Sequence, residues 1–174
     1  ALPIYVYNTL AAITTCILLG LSREDVIKRV QNLKSVSGRL DKVENDKNVN
    51  IIVDYAHTPD ALLNILKSAR LFTKNRIILV FGCGGNRDKA KRPIMGKIAQ
   101  QNADISIITS DNPRFEKEMD IIEDILCGID KTLDNYFVVQ DREDSIKKAI
   151  ELYEVGDLII IAGKGHENYQ IKGD

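Results

Sequence analysis

The sequence lacks the features that would indicate a membrane protein or a nucleic-acid-binding protein. It has no apolar run long enough to span a bilayer and no apparent signal peptide, so we expect no membrane partner. Its net charge is −1, because 24 basic residues offset 25 acidic ones. Without a basic excess there is no indication of nucleic acid or of an anionic membrane surface as a partner. It also has no internal repeat and no low-complexity segment.

Cysteine and histidine are also scarce. The three cysteines, Cys16, Cys83 and Cys127, are odd in number and widely spaced, which argues against a disulfide framework and fits a cytoplasmic protein. Neither histidine, His57 or His166, has a second ligand at the spacing of a zinc site. We therefore expect no metal bound by the residues of this chain.

What the sequence does have is the composition of a globular domain with a sizeable core. Its 174 residues are 44% hydrophobic and 28% charged. It opens on Ala1-Leu2-Pro3 without an initiator methionine, so we expect it to be part of a longer protein. Residues 8–33 predict two helices and no strand, with Ser22 at the start of the second helix.

After Arg39 the sequence alternates between apolar, β-branched runs and helical patterns. The runs predict strands near residues 50–55, 76–81, 103–108, 136–139 and 157–162, with a short edge strand at 40–43. Helical patterns follow at 58–71, 93–101, 117–128 and 145–153. This alternation predicts an α/β fold with a mostly parallel sheet and helices on both faces, preceded by the short helical segment.

Polar residues concentrate in the loops that follow the strands. These loops are 54–57, 82–88, 111–114, 141–142 and 163–167. The loops at the opposite strand ends, such as 73–75 and 154–156, have the composition of ordinary turns. Because ligands of parallel sheets bind outside the carboxyl ends of the strands, this asymmetry predicts a binding site at that edge.

Two of these loops are rich in glycine, but neither is a standard phosphate-binding loop. Loop 82–88 lacks the closing Gly-Lys-Ser/Thr of a Walker A sequence and the G-x-G-x-x-G spacing of a dinucleotide fold. Its spacing suits a plain turn equally well, although four neighbouring cations favour anion binding: Arg87, Lys89, Lys91 and Arg92. Loop 163–167 has His166 where Ser or Thr is needed, and Glu167 there can pair with a cation.

Loop 111–114 carries Arg114, whose planar guanidinium suits a carboxylate or a phosphate. Taken alone, this loop would more often be an ordinary turn with a solvated arginine. The other polar strand ends favour the binding interpretation.

Four segments, in this order along the chain, resemble the Mur ligase family, and specifically its MurE type. They are 53–59 (VDYAHTP), 81–88 (FGCGGNRD) with 91–93 (KRP), 111–114 (DNPR) and 162–167 (AGKGHE). The MurE type adds the third amino acid of the peptidoglycan stem peptide to UDP-N-acetylmuramoyl-L-alanyl-D-glutamate. The resemblance extends over about residues 5–170. Asn86 stands where many relatives have Asp.

The resemblance implies an amide-bond-forming, ATP-dependent ligase with three domains. Residues 1–37 would be the last helices of the central ATPase domain, and 38–174 the Rossmann-like C-terminal domain that binds the incoming amino acid. ATP would convert the D-glutamate carboxylate into an acyl phosphate, which the incoming amine attacks. Magnesium ions, the P-loop and a carbamylated lysine would act mainly outside this chain, so we expect the chain alone to be inactive. We also expect a cytoplasmic monomer.

The resemblance also assigns site residues by position, none of them catalytic. Asn8 would contact adenine, Arg39 and Asp54 would contact ribose, and His57 would lie beside that nucleotide edge. Six residues would bind the amino acid: Arg87, Asp111, Asn112, Arg114, Gly163 and Glu167. Arg114 would bind the far carboxylate of meso-diaminopimelate, so we expect that substrate rather than lysine.

Two other classes of function stay open on the sequence. One is a stand-alone module that binds a nucleotide or an acidic metabolite in the same strand-end cleft. The other is a structural or interaction domain, in which Arg87, Arg114 and Glu167 would not converge on one cleft.

Overall fold

The computed structural model describes residues 3–32 and 36–173, with side chains from residue 7 onward. The chain divides into two compact units, Ala1–Ser35 and Val36–Asp174. The first unit contains α1 (Pro3–Leu18) and α2 (Arg23–Val30). The residue before α2 is Ser22, whose hydroxyl accepts a hydrogen bond from the Asp25 N–H at 3.1 Å, as the sequence predicts. None of the helices in the described ranges is both long and apolar enough to cross a membrane.

The second unit is built on a six-stranded sheet with the order β1-β2-β6-β3-β4-β5. Its strands are β1 (Asp41–Lys42), β2 (Ile51–Asp54), β3 (Ile77–Phe81), β4 (Ile105–Ile108), β5 (Tyr136–Val138) and β6 (Leu158–Ala162). β1 is antiparallel to β2, and the other neighbours are parallel. The helices are α3 (Pro59–Arg70), α4 (Lys91–Asn102), α5 (Glu118–Leu126) and α6 (Arg142–Leu152). The predicted α/β fold with a mostly parallel sheet is confirmed.

Each face of the sheet packs against different helices, because side chains alternate along a strand. Leu79 and Phe81 of β3 lie in the core cluster that also contains the apolar residues of α3, α4 and α5. Ile78 and Val80 lie in the opposite cluster, with Ala149 of α6. The helices that connect β2 to β5, namely α3, α4 and α5, therefore pack on one face of the sheet, and α6, which connects β5 to β6, packs on the other. The connection through α6 inserts β6 between β2 and β3.

The first residues of two helices differ from the prediction. α6 begins at Arg142, because the Asp141 carboxylate caps it by accepting a hydrogen bond from the Asp144 N–H at 3.0 Å. α4 begins at Lys91 rather than at Pro93. A proline is tolerated within the first turn of a helix, where N–H groups have no partner inside the helix.

Candidate functional site

A cleft of about 530 Å³ lies outside the carboxyl ends of β2, β6, β3 and β4. Residues from four of the five polar loops line it, namely 54–57, 82–88, 111–114 and 163–167. These loops meet because parallel strands end at the same edge of a sheet. Loop 141–142 contributes no lining residue, because Asp141 caps α6 and Arg142 is buried.

The structure brings together all six residues that the resemblance assigns to the amino acid. They are Arg87, Asp111, Asn112, Arg114, Gly163 and Glu167, and all of them line the cleft. A structural or interaction domain was expected to leave these side chains apart, so this convergence argues against that class.

The residues assigned to the nucleotide do not all line this cleft. His57 lines the cleft. Arg39 is exposed beside it, with its guanidinium carbon 5.5 Å from the ring centre of Tyr55, which is a lining residue. Asn8 is an exposed residue of α1 and belongs to the first unit.

Asp54 is not among the residues that line the cleft, but it supports the loops around it. Its carboxylate is buried and accepts hydrogen bonds from the N–H groups of Leu40 at 2.9 Å and Ala56 at 2.8 Å. Its main-chain carbonyl accepts a hydrogen bond from the Gly163 N–H at 3.0 Å. Asp54 therefore joins the segment before β1 to the loops after β2 and β6, a role that the sequence did not reveal.

The loops after β3 and β4 are joined to each other. The Gly85 N–H donates to the Asn112 carbonyl at 2.9 Å, and Nη1 of Arg114 donates to the Gly85 carbonyl at 2.8 Å. A Cβ atom on residue 85 would overlap the Pro113 carbonyl oxygen. Only glycine allows the two loops to approach this closely.

Asn86 adds a side-chain link between the same two loops. Its φ is 50°, a left-handed conformation that Asn and Asp adopt more readily than most residues. Its Oδ1 accepts a hydrogen bond from the Phe115 N–H at 3.1 Å. An aspartate has the same acceptor atom, so the departure from the family pattern at this position preserves the contact.

The cationic side of the cleft is formed by Arg114 and Arg87. Nη1 of Arg114 is held by the carbonyls of Gly85 and Asn112, at 2.8 and 3.3 Å. Its Nε and Nη2 make no hydrogen bond to any described residue, which leaves two parallel donors for a ligand carboxylate. Arg87 is exposed and forms no ion pair within the described ranges.

The main chain of Arg114 is fixed by residues near the end of the described chain. Its φ is 53°, which is uncommon outside glycine. Its N–H donates to the Ile171 carbonyl at 3.0 Å, and its carbonyl accepts from the Gly173 N–H at 2.8 Å. These contacts fix the main chain from which the Arg114 side chain reaches the cleft.

The anionic side of the cleft is formed by Asp111 and Glu167. Oδ1 of Asp111 accepts from the Asn112 N–H at 2.7 Å. Its Oδ2 is buried without a hydrogen-bond partner in the described part of the chain, and lies 4.0 Å from Nη1 of Arg142. A Cβ atom on residue 163 would lie 3.0 Å from that oxygen, closer than ordinary van der Waals contact, so the glycine avoids crowding it. A buried carboxylate oxygen of this kind suits a ligand ammonium group.

Three residues beside or behind the cleft have roles that the sequence did not indicate. Tyr55 lines the cleft, and its hydroxyl lies 3.5 Å from Oε1 of Glu167. Lys164 is buried behind Glu167. Arg92, which was grouped with the anion-binding cations, is fully buried and is not a lining residue.

Of the other cations in that group, only one besides Arg87 lines the cleft. Lys91 does so, and its Nζ donates to the His57 carbonyl at 2.7 Å. Lys89 instead pairs with Glu116 at 3.1 Å. The anion-binding charge of this segment is therefore smaller than its sequence indicates.

No group of three or more His, Cys, Asp or Glu side chains within residues 3–32 and 36–173 is arranged to hold a metal ion.

Residues 38–165 match the family described as "Mur ligase, glutamate ligase domain". The chain is 54% identical over 168 residues to UDP-N-acetylmuramoyl-L-alanyl-D-glutamate–2,6-diaminopimelate ligase of Clostridioides difficile strain 630, which covers 97% of this chain and 35% of that protein. It is 52% identical over 171 residues to the corresponding ligase 1 of Clostridium acetobutylicum, with the same coverage.

Among solved structures, a UDP-N-acetylmuramoyl-L-alanyl-D-glutamate–2,6-diaminopimelate ligase superposes with a TM-score of 0.73 at 40% sequence identity. The match covers 97% of this chain and 34% of that one. The chain thus spans about a third of the length of the relatives that it matches.

Proposed function

The chain belongs to the Mur ligase family, and on that basis we propose that it is the amino-acid-binding part of a ligase that adds meso-diaminopimelate to UDP-N-acetylmuramoyl-L-alanyl-D-glutamate. The curated relatives named above are diaminopimelate ligases by name. Because the chain spans about a third of their length, the complete reaction is proposed for the longer protein that contains it.

The observation that carries this proposal is the charge pattern of the cleft. Two guanidinium groups, of Arg87 and Arg114, line it together with two carboxylates, of Asp111 and Glu167. Diaminopimelate has two carboxylates and two ammonium groups, so each of its charges can meet an opposite one. Lysine has a single carboxylate and would leave one guanidinium beside its own ammonium group, which is unfavourable.

In this proposal ATP and Mg²⁺ act with the residues of the longer protein, as in the family. Magnesium, when bound, would neutralise charge on the phosphates of ATP. The γ-phosphate is transferred to the D-glutamate carboxylate, and the amine of diaminopimelate then attacks the acyl carbon and displaces phosphate. The residues of this chain bind and orient the amine-bearing substrate. The nucleotide would contact Asn8, Arg39, Asp54 and His57, in a monomeric, cytoplasmic enzyme.

An acceptor screen on the full-length protein tests this function. ATP-dependent release of phosphate would be measured with UDP-N-acetylmuramoyl-L-alanyl-D-glutamate and either meso-diaminopimelate, L-lysine or L-glutamate. We expect turnover with diaminopimelate well above turnover with lysine, and none without the dipeptide precursor. Equal turnover with lysine, or binding of diaminopimelate without any turnover, would reject the proposal. The second result would instead support a stand-alone binding module.

A further inference from the structure

Lys164 lies behind the wall of the cleft, in the loop after β6. Only 6% of its surface is exposed, and it is not a lining residue. Its Nζ donates to Oδ1 of Asn112 at 2.9 Å and to Oε2 of Glu167 at 3.1 Å, and both of those residues line the cleft. Nζ also lies 5.3 Å from the ring centre of Tyr169, within the range of a cation–π contact. Lys164 therefore contacts the substrate-binding wall from its buried side.

The two carboxylate oxygens of Glu167 have different hydrogen-bond partners. Oε2 accepts hydrogen bonds from Lys164 and, at 3.1 Å, from Nδ2 of Asn112. Among the described residues, Oε1 has only the Tyr55 hydroxyl, at the long distance of 3.5 Å. Oε2 is thus anchored, and Oε1 is the oxygen left with room for a stronger partner in the cleft.

We propose that Lys164 is a positioning residue that holds the Glu167 carboxylate with Oε1 turned into the cleft, where it accepts a hydrogen bond from a substrate ammonium group. This inference rests on the proposed function, because the ammonium group is that of the amino-acid substrate. Lys164 itself touches no substrate. Its role is to keep Glu167 and Asn112 in one arrangement that suits the ligand.

Lys164 also supports the negative charge on which this role depends. Burial opposes ionisation of Glu167, but hydrogen bonds from Lys164 and Asn112 outweigh it and hold the pKa of this carboxyl below its usual value. The other charged groups around Glu167 come from different elements. Arg142 of α6 attracts it at longer range, and Arg87, Arg114 and Asp111 line the same cleft. Without Lys164, only neutral hydrogen-bond donors contact Glu167 directly, so its pKa would rise.

The test uses the full-length ligase with Lys164→Met and with Lys164→Arg, which keeps the positive charge. The matched control is Lys147→Met, which removes an exposed lysine that pairs with Glu143 and Asp144 on the surface of α6. The pH dependence of kcat/KM for diaminopimelate would be measured at saturating ATP, from about pH 4.5 to about pH 9, so that the range reaches the titration of a glutamate. The KM for ATP would be measured in parallel.

We expect the acidic limb of the Lys164→Met profile to move to higher pH, so that its loss of kcat/KM is severalfold larger at the acidic end of this range than at the alkaline end. Lys164→Arg should restore the acidic limb, Lys147→Met should leave it in place, and the KM for ATP should hardly change. A loss by the same factor at every pH, or an equal rise in the KM for ATP, would overturn the inference.

Two further measurements distinguish a folding defect, or a failure of the proposed function, from a failure of this inference. If Lys164→Met fails to fold, Lys164→Gln provides the same test, because it keeps a hydrogen-bond donor without the charge. If the wild-type enzyme does not use diaminopimelate, the proposed function fails, and the inference that rests on it is overturned with it. If the wild type uses diaminopimelate while the folded Lys164 variants keep its pH profile, only the role of Lys164 is wrong.

Discussion

Arg92 and Glu116 form a bidentate ion pair, in which Nη1 and Nη2 of the arginine each lie 2.9 Å from a different carboxylate oxygen. Arg92 is fully buried on α4, and Glu116 lies between the β4 loop and α5. Arg92 also donates to Asp124 at 2.8 Å and to the Gly84 carbonyl at 3.3 Å. One buried guanidinium thus joins α4 and α5 to the two loops that carry Arg87 and Arg114.

Replacing Arg92 with Met should destabilise this domain strongly. The variant removes the arginine partner of Asp124 and leaves Glu116 with only Lys89 and the Asn86 N–H, and breaking a buried pair in this way costs about 3–5 kcal/mol. The free energy of unfolding in urea measures the loss. Arg70→Met is the matched control, because Arg70 pairs with Asp104 at a site where both side chains are 42% exposed. A surface pair contributes about 1 kcal/mol or less, so an equal loss in the two variants would show that the buried network is not essential.

The same ion pair should make stability depend on acid pH. The hydrogen bonds from Arg92 and from the Asn86 N–H lower the pKa of Glu116 from 4.5 to about 2. A carboxyl whose pKa is lower in the folded state stabilises the fold above its unfolded pKa, and that contribution is lost as the pH falls toward the folded pKa. Glu116→Gln should therefore lose less stability than the wild type between about pH 5 and about pH 2.

The control for this pH experiment is Glu151→Gln, on the exposed surface of α6, where the Glu151 side chain pairs with Lys148 and is 66% exposed. Its unfolding free energy should follow the wild-type pH dependence. If Glu116→Gln and the wild type lose stability in parallel over this range, the acid sensitivity has another origin.

The strand ends could be predicted from the sequence because the apolar runs are distinct and parallel strands end at one edge. Once the runs near β2, β3, β4 and β6 are recognised, the polar residues that follow them must lie together, as the cleft shows. The helical pattern predicted from residue 58 onward also agrees with α3, which Thr58 caps by accepting a hydrogen bond at its Oγ1 from the Ala61 N–H at 3.3 Å.

The burial of single charged residues could not be predicted in the same way. Arg92 stands in a highly charged segment, and only its partners distinguish it from its neighbours. Glu116 and Asp124 lie 24 and 32 residues further along the chain. The same limit applies to Lys164, because one of its partners, Asn112, is 52 residues away. Local patterns do not carry information about contacts over such separations.

Replacing Arg39 with Ala in the full-length enzyme should weaken nucleotide binding selectively. Arg39 is the better test of the nucleotide edge, because Asp54→Ala would also release the N–H groups of Leu40 and Ala56. We expect the KM for ATP to rise about tenfold, as for the loss of one charged hydrogen bond of about 1.5 kcal/mol. The KM for diaminopimelate should change much less.

The control is Lys42→Ala, which removes an exposed cation from β1. It should leave both KM values at those of the wild type. A larger effect of Arg39→Ala on diaminopimelate than on ATP would place Arg39 at the amino-acid side of the cleft and contradict its assignment to the nucleotide.

The selectivity for diaminopimelate depends, in this account, on Arg114. Its Nε and Nη2 are the donors that would bind the far carboxylate, and loss of a desolvated charge pair costs roughly 2–5 kcal/mol. Arg114→Ala should therefore lower kcat/KM for diaminopimelate by about two to three powers of ten. Alanine and arginine both have a Cβ atom, so the strain at a φ of 53° is the same in the variant. Arg114→Lys keeps the charge without the two parallel donors and should recover only part of the loss.

The most direct test is the ratio of kcat/KM for meso-diaminopimelate to that for L-lysine, measured on the full-length enzyme and on Arg114→Ala with the same UDP-dipeptide precursor. We expect a ratio well above one for the wild type, which falls by about two powers of ten or more in the variant while the variant remains folded. A wild-type preference for lysine, or a ratio that the substitution leaves unchanged, would contradict it.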